Sequence, residues 1–498
     1  MSNFSALNTA LSGLIAHQRA LQTAGHNAAN AATEGFSRQR VDMTSAGGGV
    51  VPAVWSKSNG IGTGVNATGI VRIRDEFLES RALREAGKSS HLDAQTSIAS
   101  RIEMIFPEPS DVGMAHQLSE LWGAFDDLAN QPGASAPRVA MFERARTVAD
   151  ELNRASTELT NLHGSAIGQA ETLVHEVNAT AERVAELNSA IRNATAAGLS
   201  PHDLADQRDL LVERLGELVG VTTRAGELGT VDVFVGGGSL VRGDRFEQLK
   251  LIDTDAVAPG GTPDPNDPAL HRHEIQWAKD GYPARVDGGE IGGLLDSANT
   301  MIPGYLTKLD QVASTLATKV NELHEAGFDL DGAAGLAFFT DGTESTGPGF
   351  DPSTVNAANI KVNPAVASDT DKVAAAGGMS IDPADPTGPQ QSAGTLDSTN
   401  ANRLALLGDL SDGPDAVYGQ LIGNLGVESQ ALQRRSLIQG EVSRQVDEAR
   451  QSVKGVSIDE EMVNLVQAQH AYAASARLMT AVDQMLETLI NRTGLVGR

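Results

Sequence analysis

Both ends of this chain carry apolar residues spaced alternately three and four apart, and no other feature constrains its fold as strongly. At the amino end, Phe4, Leu7, Leu11, Leu14, Gln18, Leu21, Gly25 and Ala28 form one stripe, with Asn8, Ser12, Arg19 and Gln22 opposite. At the carboxyl end, Ile458, Met462, Leu465, Gln469, Tyr472, Ala476 and Met479 form another, continued by Val482, Leu486 and Leu489 after a one-residue shift in register. These are coiled-coil patterns. A long helix with a narrow apolar stripe cannot bury it alone, so each end needs a partner. If the two end helices pair, everything between them is an insertion in a helical stalk.

The 498 residues between and including these ends exceed one ordinary core. Residues 41–73 look extended, with Val50, Val51, Val54, Trp55, Ile61, Val65, Ile70, Val71 and Ile73 among glycines. Helical periodicity runs from about Asp75 to Phe106, where Pro107 and Pro109 end it, then over roughly 114–130. A further helix starts with Pro137 in its first turn, and 165–197 repeats the pattern up to Gly198. Ser200, Pro201 and Asp203 read as N-cap, first helical position and first-turn acid of a helix holding Leu204, Leu211, Leu215 and Leu218. The short loop predicts antiparallel packing of these two helices. From Val221 to Gly289 the period is two, around a loop at Pro259–Pro265. Helix returns over 290–326 and over 399–453, broken near Gly408–Pro414. Ser457 and Glu460 form a capping box for the last helix.

The expected fold class is therefore multidomain and mainly α with β-rich insertions: a coiled-coil stalk from the terminal helices, a middle helical bundle and small antiparallel β domains. The expected division is 1–35 with 458–498 as the stalk; 36–220 with 290–326 and 398–457 as the bundle; 221–289 as a β unit on the bundle; and 327–397 as a loop-rich β insertion at the surface, peripheral to assembly and tolerant of deletion. Aromatics at 4% suit helix packing better than a large sandwich.

The formal charge of −26 opposes binding to phosphate backbones and anionic lipid, so neither nucleic acid nor membrane insertion is expected. No stretch reaches the roughly 20 apolar residues that span a bilayer. The start, Met1 to Ser5, has no basic or continuous apolar region of a cleavable signal. The chain is expected to be cytoplasmic or exported by a route that reads no such signal. With no cysteine there is no disulfide, thiol nucleophile or Cys-ligated metal.

Gly236–Ser239 lacks the Lys and Ser/Thr of a phosphate loop, and Gly60–Gly64 is too tightly spaced for a dinucleotide fingerprint. His271 and His273 share a strand face without a third ligand cluster nearby in sequence. Asp329, Asp331 and Gly332 begin a calcium-loop pattern whose later ligands are missing, so a turn is the better reading. No pair of acids is singled out as a hydrolase centre. No catalytic residue, metal or cofactor is expected.

Ala10–Leu14, Gln18-x-Ala20-Leu21-x-Thr23 and His26-Asn27-x-x-Asn30-Ala31-x-Thr33-x-Gly35-Phe36-Ser37-Arg38-Gln39-Arg40-Val41 resemble the start of the flagellar axial proteins. The Ser-Arg-Gln addition is similar to the hook-associated protein 1 family. So are Gly455–Glu461, Gln467-x-Gln469-x-x-Tyr472-x-Ala474-Ser475-Ala476-Arg477, Gly288-Gly289-x-x-Gly292-Gly293-Leu294-Leu295 and Asn321-x-x-His324-x-x-Gly327-x-Asp329-Leu330-x-Gly332. The matches follow one another in order along the chain, with none in the rest of 327–397.

The resemblance implies a structural subunit of the bacterial flagellum, extracellular, joining hook to filament, with the terminal helices lining the axis as a homo-oligomer. It implies the hook protein and the next hook-associated junction protein as neighbours. It also implies type III export of an unfolded chain and an export chaperone. Subunit-interface residues are then expected at Leu7, Leu11, Leu14, Leu21, Asn27, Asn30, Gly35, Phe36, Met462, Leu465, Tyr472, Met479 and Leu486. The polar run from His26 to Arg40 has a second reading, as a turn that caps the helix. Two other function classes stand beside this one: a secreted adhesin or scaffold on a helical stalk, and a flagellum-associated cell-wall hydrolase.

Overall fold

The computed structural model describes residues 3–47, 62–254, 271–347, 349–380 and 390–492. The strand residues expected at 50–61 and the loop at 259–265 lie outside these, as do the side chains of Phe4 and Leu489.

Helix α1 (Asn3–Ala29) leads into the antiparallel pair β1 (Gln39–Ala46) and β2 (Gly64–Arg72), registered from Gln39 opposite Arg72 to Ala46 opposite Gly64. The body follows: α2 (Glu76–Ile105), α3 (Met114–Asn130), α4 (Ser135–Ala196) and α5 (His202–Val219). A four-stranded antiparallel sheet comes next, in sequence order: β3 (Thr222–Ala225), β4 (Val231–Val235), β5 (Gly238–Arg242) and β6 (Arg245–Phe246). Strands β7 (Leu249–Asp253) and β8 (His273–Trp277) pair separately, before α6 (Gly289–Asp296) and α7 (Ile302–Ala326). Short elements fill the next stretch: β9 (Phe339–Thr340) with β10 (Lys361–Val362), α8 (Pro364–Ala367), and β11 (Gly378–Ser380) with β12 (Gln390–Ser392). Helices α9 (Thr399–Ala405), α10 (Pro414–Lys454) and α11 (Ile458–Arg492) complete the chain.

Three sequence expectations change. The two helices expected on either side of Gly164 are one, since α4 runs unbroken for 62 residues, roughly 90 Å. A single glycine costs a helix only about 1 kcal/mol, and the buried stripe continues across it through Leu162, Ala166 and Ala170. Ser200 does not cap α5. Pro201 occupies the cap position without a side-chain hydrogen bond; Asp203 is the first-turn acid as expected and also faces His26 and Gln39.

The third change concerns 327–397. It is loop-rich, but Phe338, Phe339, Val355, Ile360, Val366 and Val373 are buried in one cluster with α3, α4 and α7. The insertion expected to be peripheral therefore supplies part of the body's core. Arg138 of α4, 1% exposed, donates to Pro132 O and to Val373 O at 2.6 Å, tying the loop to the spine. His324 is fully buried. Its Nδ1 donates to Leu336 O at 2.6 Å and its Nε2 accepts from Ala374 N at 3.0 Å, and burial pushes its imidazole down to about 4.

α4 and α5 pack antiparallel: Glu176 pairs with Arg214 and Asn188 lies near Arg208. The Asp329 turn closes with its side chain accepting from Ala333 N, so those residues make a turn. His163 of α4 packs against His273 with ring centroids 5.9 Å apart, bringing a third imidazole that spacing did not reveal. Even so, no metal-holding group of three occurs among the described residues.

Candidate assembly interface

α1 and α11 pair more extensively than any other two elements. They run antiparallel: Asn27 meets Glu461 at one end, and Gly13 meets Ser475 fourteen residues further along both helices. On α1 the closed seam is built of small residues, with Ala10, Gly13, Ala16, Thr23, Ala24 and Asn27 buried. A Cβ on Gly13 would come within 2.9 Å of Ser475 Oγ, so glycine sets how close the two helices lie. On α11 the seam reads Glu461, Leu465, Ala468, Tyr472, Ser475, Met479, Val482 and Leu486, buried or half-buried throughout. Its spacing alternates four and three without interruption, so the register shift expected before Val482 does not occur.

The seam on α1 lies one residue ahead of the leucine stripe at each step, a rotation of about 100°. Leu7, Leu14 and Leu21 are therefore half-buried on its flank, and Leu11 is 44% exposed. On α11, Leu465, Tyr472, Met479 and Leu486 are half-buried, whereas Met462 is 50% exposed. Ile15, Ile458, Val463, Val466, Leu478 and Met485 are also exposed. The paired helices satisfy one face of each and leave further apolar side chains exposed.

The polar run after α1 forms a joint inside the subunit. Asn27, 1% exposed, clamps the first residue of β1: its Oδ1 accepts from Gln39 N at 3.0 Å and its Nδ2 donates to Gln39 O at 2.8 Å. The same Nδ2 donates to Glu461 Oε2 at 3.1 Å. Glu461 is buried, and its other oxygen accepts from Arg38 Nε at 2.7 Å. Arg38 also reaches Glu460 at 2.8 Å, and its backbone N donates to Lys454 O, so one arginine holds α10, α11 and β1 together. Ser457 does cap Glu460 N, but the Glu460 side chain serves Arg38. Half-buried Asn30 closes the turn, donating to His26 O and accepting from Thr33 Oγ1. Gly35 takes φ +77°, a left-handed conformation that favours glycine, against Leu210 of α5. Half-buried Phe36 stands edge-on to His26, with centroids 5.4 Å apart.

The other half of the joint lay outside sequence reading. Acids one turn apart on α5 receive the strands: Asp206 accepts from Ser37 N and Arg72, and Asp209 from Arg72 and Arg74. β2 also lies along α1, with Val65 N donating to Ser12 Oγ and Arg19 donating to Ala67 O. Asn27 thus faces inward, while Leu11 and Met462 face outward.

These features define an axial-type subunit: a body joined to paired terminal helices that carry exposed apolar side chains. The family described as flagellar hook-associated protein FlgK helical domain matches residues 99–339, and that of the flagellar basal body rod FlgEFG protein C-terminal matches 451–492. The chain is 30% identical to flagellar hook-associated protein 1 of Bacillus subtilis (strain 168) over 532 residues, covering all of both. It is 26% identical to the Escherichia coli (strain K12) protein of the same name, covering 98% of this chain and 99% of the relative. The flagellar hook junction protein FlgK from Burkholderia pseudomallei has the same fold, with a TM-score of 0.59 at 17% identity over 75% of this chain and 100% of that one. The chain belongs to the flagellar hook-associated protein 1 family and is a structural component of the bacterial flagellum.

Proposed function

We propose that this subunit joins hook to filament, with copies of the chain packing around the flagellar axis through the outer faces of α1 and α11. The observation that carries the reading is the set of large apolar side chains left exposed after those helices pair, among them Leu11 and Ile15 on α1 and Met462 and Val466 on α11. Burying one such side chain is worth roughly 1.5–3 kcal/mol, so several per subunit repeated around a ring drive association. Leu7, Leu14, Leu21, Leu465, Tyr472, Met479 and Leu486 complete these contacts, half-shielded already by the partner helix. Asn27, Asn30, Gly35 and Phe36 act one step back, fixing the angle at which the pair leaves the body. In this reading residues 1–35 and 458–498 form the inner unit and the body faces outward.

The neighbours along the axis are the hook protein and the next hook-associated junction protein. The chain reaches them by type III export with a chaperone, to an extracellular position at the junction, and a structural role of this kind includes no catalytic step. The test is negative-stain microscopy of purified protein mixed with isolated hooks. Capping at hook tips is the expected result. Protein that stays free, or that decorates hook sides as readily as tips, would overturn the proposal.

A further inference from the structure

Where the hairpin, α2, α5 and the end of α10 meet, the joint encloses an open cavity of about 920 Å³. In a chain of net charge −26, its wall is cationic: Arg72, Arg74, Arg208, Arg224, Arg450 and Lys454 all line it. Glu76, Glu79, Asp209 and Glu213 line it as well, and Glu213 pairs with Arg450. Asp209 serves the guanidinium groups of Arg72, Arg74 and Arg208, and Asp206 is a second partner of Arg72. Glu79 is shared between Arg74 and Arg450.

Lys454 stands out within this wall. It is 6% exposed, and among the described residues its ammonium makes no hydrogen bond or ion pair; only its backbone carbonyl is engaged, by Arg38 N. A cation largely removed from water without a directly bonded counter-charge is unfavourable. Burial, followed by the neighbouring charge of Arg450, lowers the Lys454 pKa, with Glu79 and Glu213 opposing. Its place in the last turn of α10 offers only the partial negative charge of a helix end. Arg224, on β3 at the exposed side of the same cavity, has no charged partner among the described residues either. Arg72, Arg74, Arg208 and Arg450 already hold carboxylates, so among the described residues Lys454 and Arg224 are the lining cations without a direct partner.

From this juxtaposition of a buried, unpartnered Lys454, an exposed Arg224 and a cavity able to admit a ligand, we infer that the joint is a binding site for a small oxyanion, a phosphate or a carboxylate group. Lys454 is the primary contact and Arg224 the outer one. Bound there, the anion gives Lys454 a direct partner at the point where α10 turns into α11, and so stiffens the angle between body and terminal helices. Two sources offer that chemistry: free inorganic anion, or an acidic side chain of a second copy, whose surface is rich in them.

The experiment uses the purified full chain, with inorganic phosphate and separately acetate titrated against chloride at constant ionic strength. Binding is followed by calorimetry and by the thermal midpoint. Saturable binding is expected, weakened at least tenfold in Lys454→Met and about threefold in Arg224→Gln. Without added anion, Lys454→Met should melt no lower than wild type, since it removes a buried charge that has no direct partner. This arm does not depend on the assembly reading. Absence of saturable binding of either anion, or binding unchanged in Lys454→Met, overturns the inference. If Lys454→Met does not fold, unchanged binding in Arg224→Gln overturns it equally. A second arm adds phosphate to the hook-capping reaction. Slower capping in proportion to occupancy assigns the site to a second copy's carboxylate, and unchanged capping assigns it to free anion; either result supports an oxyanion site.

Discussion

Replacing Phe338 by Ala is expected to lower the unfolding free energy of the body by about 3–5 kcal/mol, the range for an aromatic ring deleted from a packed core. Phe338 is fully buried. Its ring meets Phe125 of α3 at 6.2 Å, His324 of α7 at 5.2 Å and Phe339 at 5.0 Å between centroids. Its backbone N–H, with that of Phe339, donates to Asn321 Oδ1 at 2.8 Å, and Asn321 Nδ2 returns a bond to Phe339 O. The ring thus fills the space between two helices while its backbone is pinned to one of them. Urea denaturation is the measurement: the midpoint should fall with little change in slope. Deleting 327–397 behind a Gly/Ser bridge should be worse still, because Val355, Ile360, Val366 and Val373 leave the core with it. A deletion variant that melts with the wild type would show that this segment is removable after all.

Asn27→Ala should detach the terminal pair from the body while leaving the body folded. The substitution strips partners from Gln39 N, Gln39 O and one oxygen of Glu461, all in a buried setting. Each polar group stranded in this way costs about 1–3 kcal/mol, so the local loss is on the order of 3 kcal/mol or more. Asn27→Asp is expected to be more damaging at neutral pH, because it sets a second carboxylate against Glu461 in a poorly solvated place. Hydrogen exchange separates the two regions. Amides in 5–25 and 462–488 should exchange faster in either variant, while those in 204–218 keep their protection. Equal acceleration across all three segments would show that the joint and the body unfold as one unit.

Sequence periodicity located the large elements well, because α2, α3, α7 and α10 each carry a stripe that a core then buries. It located the α1 seam one residue off for a physical reason. A hydrophobic pattern weights leucine, whereas the surface that closes on α11 is chosen for smallness: Ala10, Gly13 and Ala24 allow the close approach that leucines would prevent. The same bias invented a register shift in α11, where Glu461, Ala468 and Ser475 hold seam positions without being large and apolar. The joint was half legible. The Asn27 to Gln39 run stood out as a motif, but its receivers, Asp206, Asp209 and Glu461, look like ordinary helix-surface acids until the fold brings them together. The core role of 327–397 was hidden because its buried residues sit in loops and in elements of two to four residues, too short for either period to show.

The central claim is that the exposed apolar side chains of the terminal pair drive assembly. The most direct measurement combines Leu11→Asp with Met462→Asp and follows hook-tip capping by microscopy, alongside the melting of the free subunit. Both positions lie outside the α1–α11 seam, so the monomer should unfold within about 0.5 kcal/mol of wild type, as for surface substitutions elsewhere. Capping should be abolished. If the doubly charged subunit caps hooks as readily as wild type, the outer face is not the assembly interface and the account is wrong.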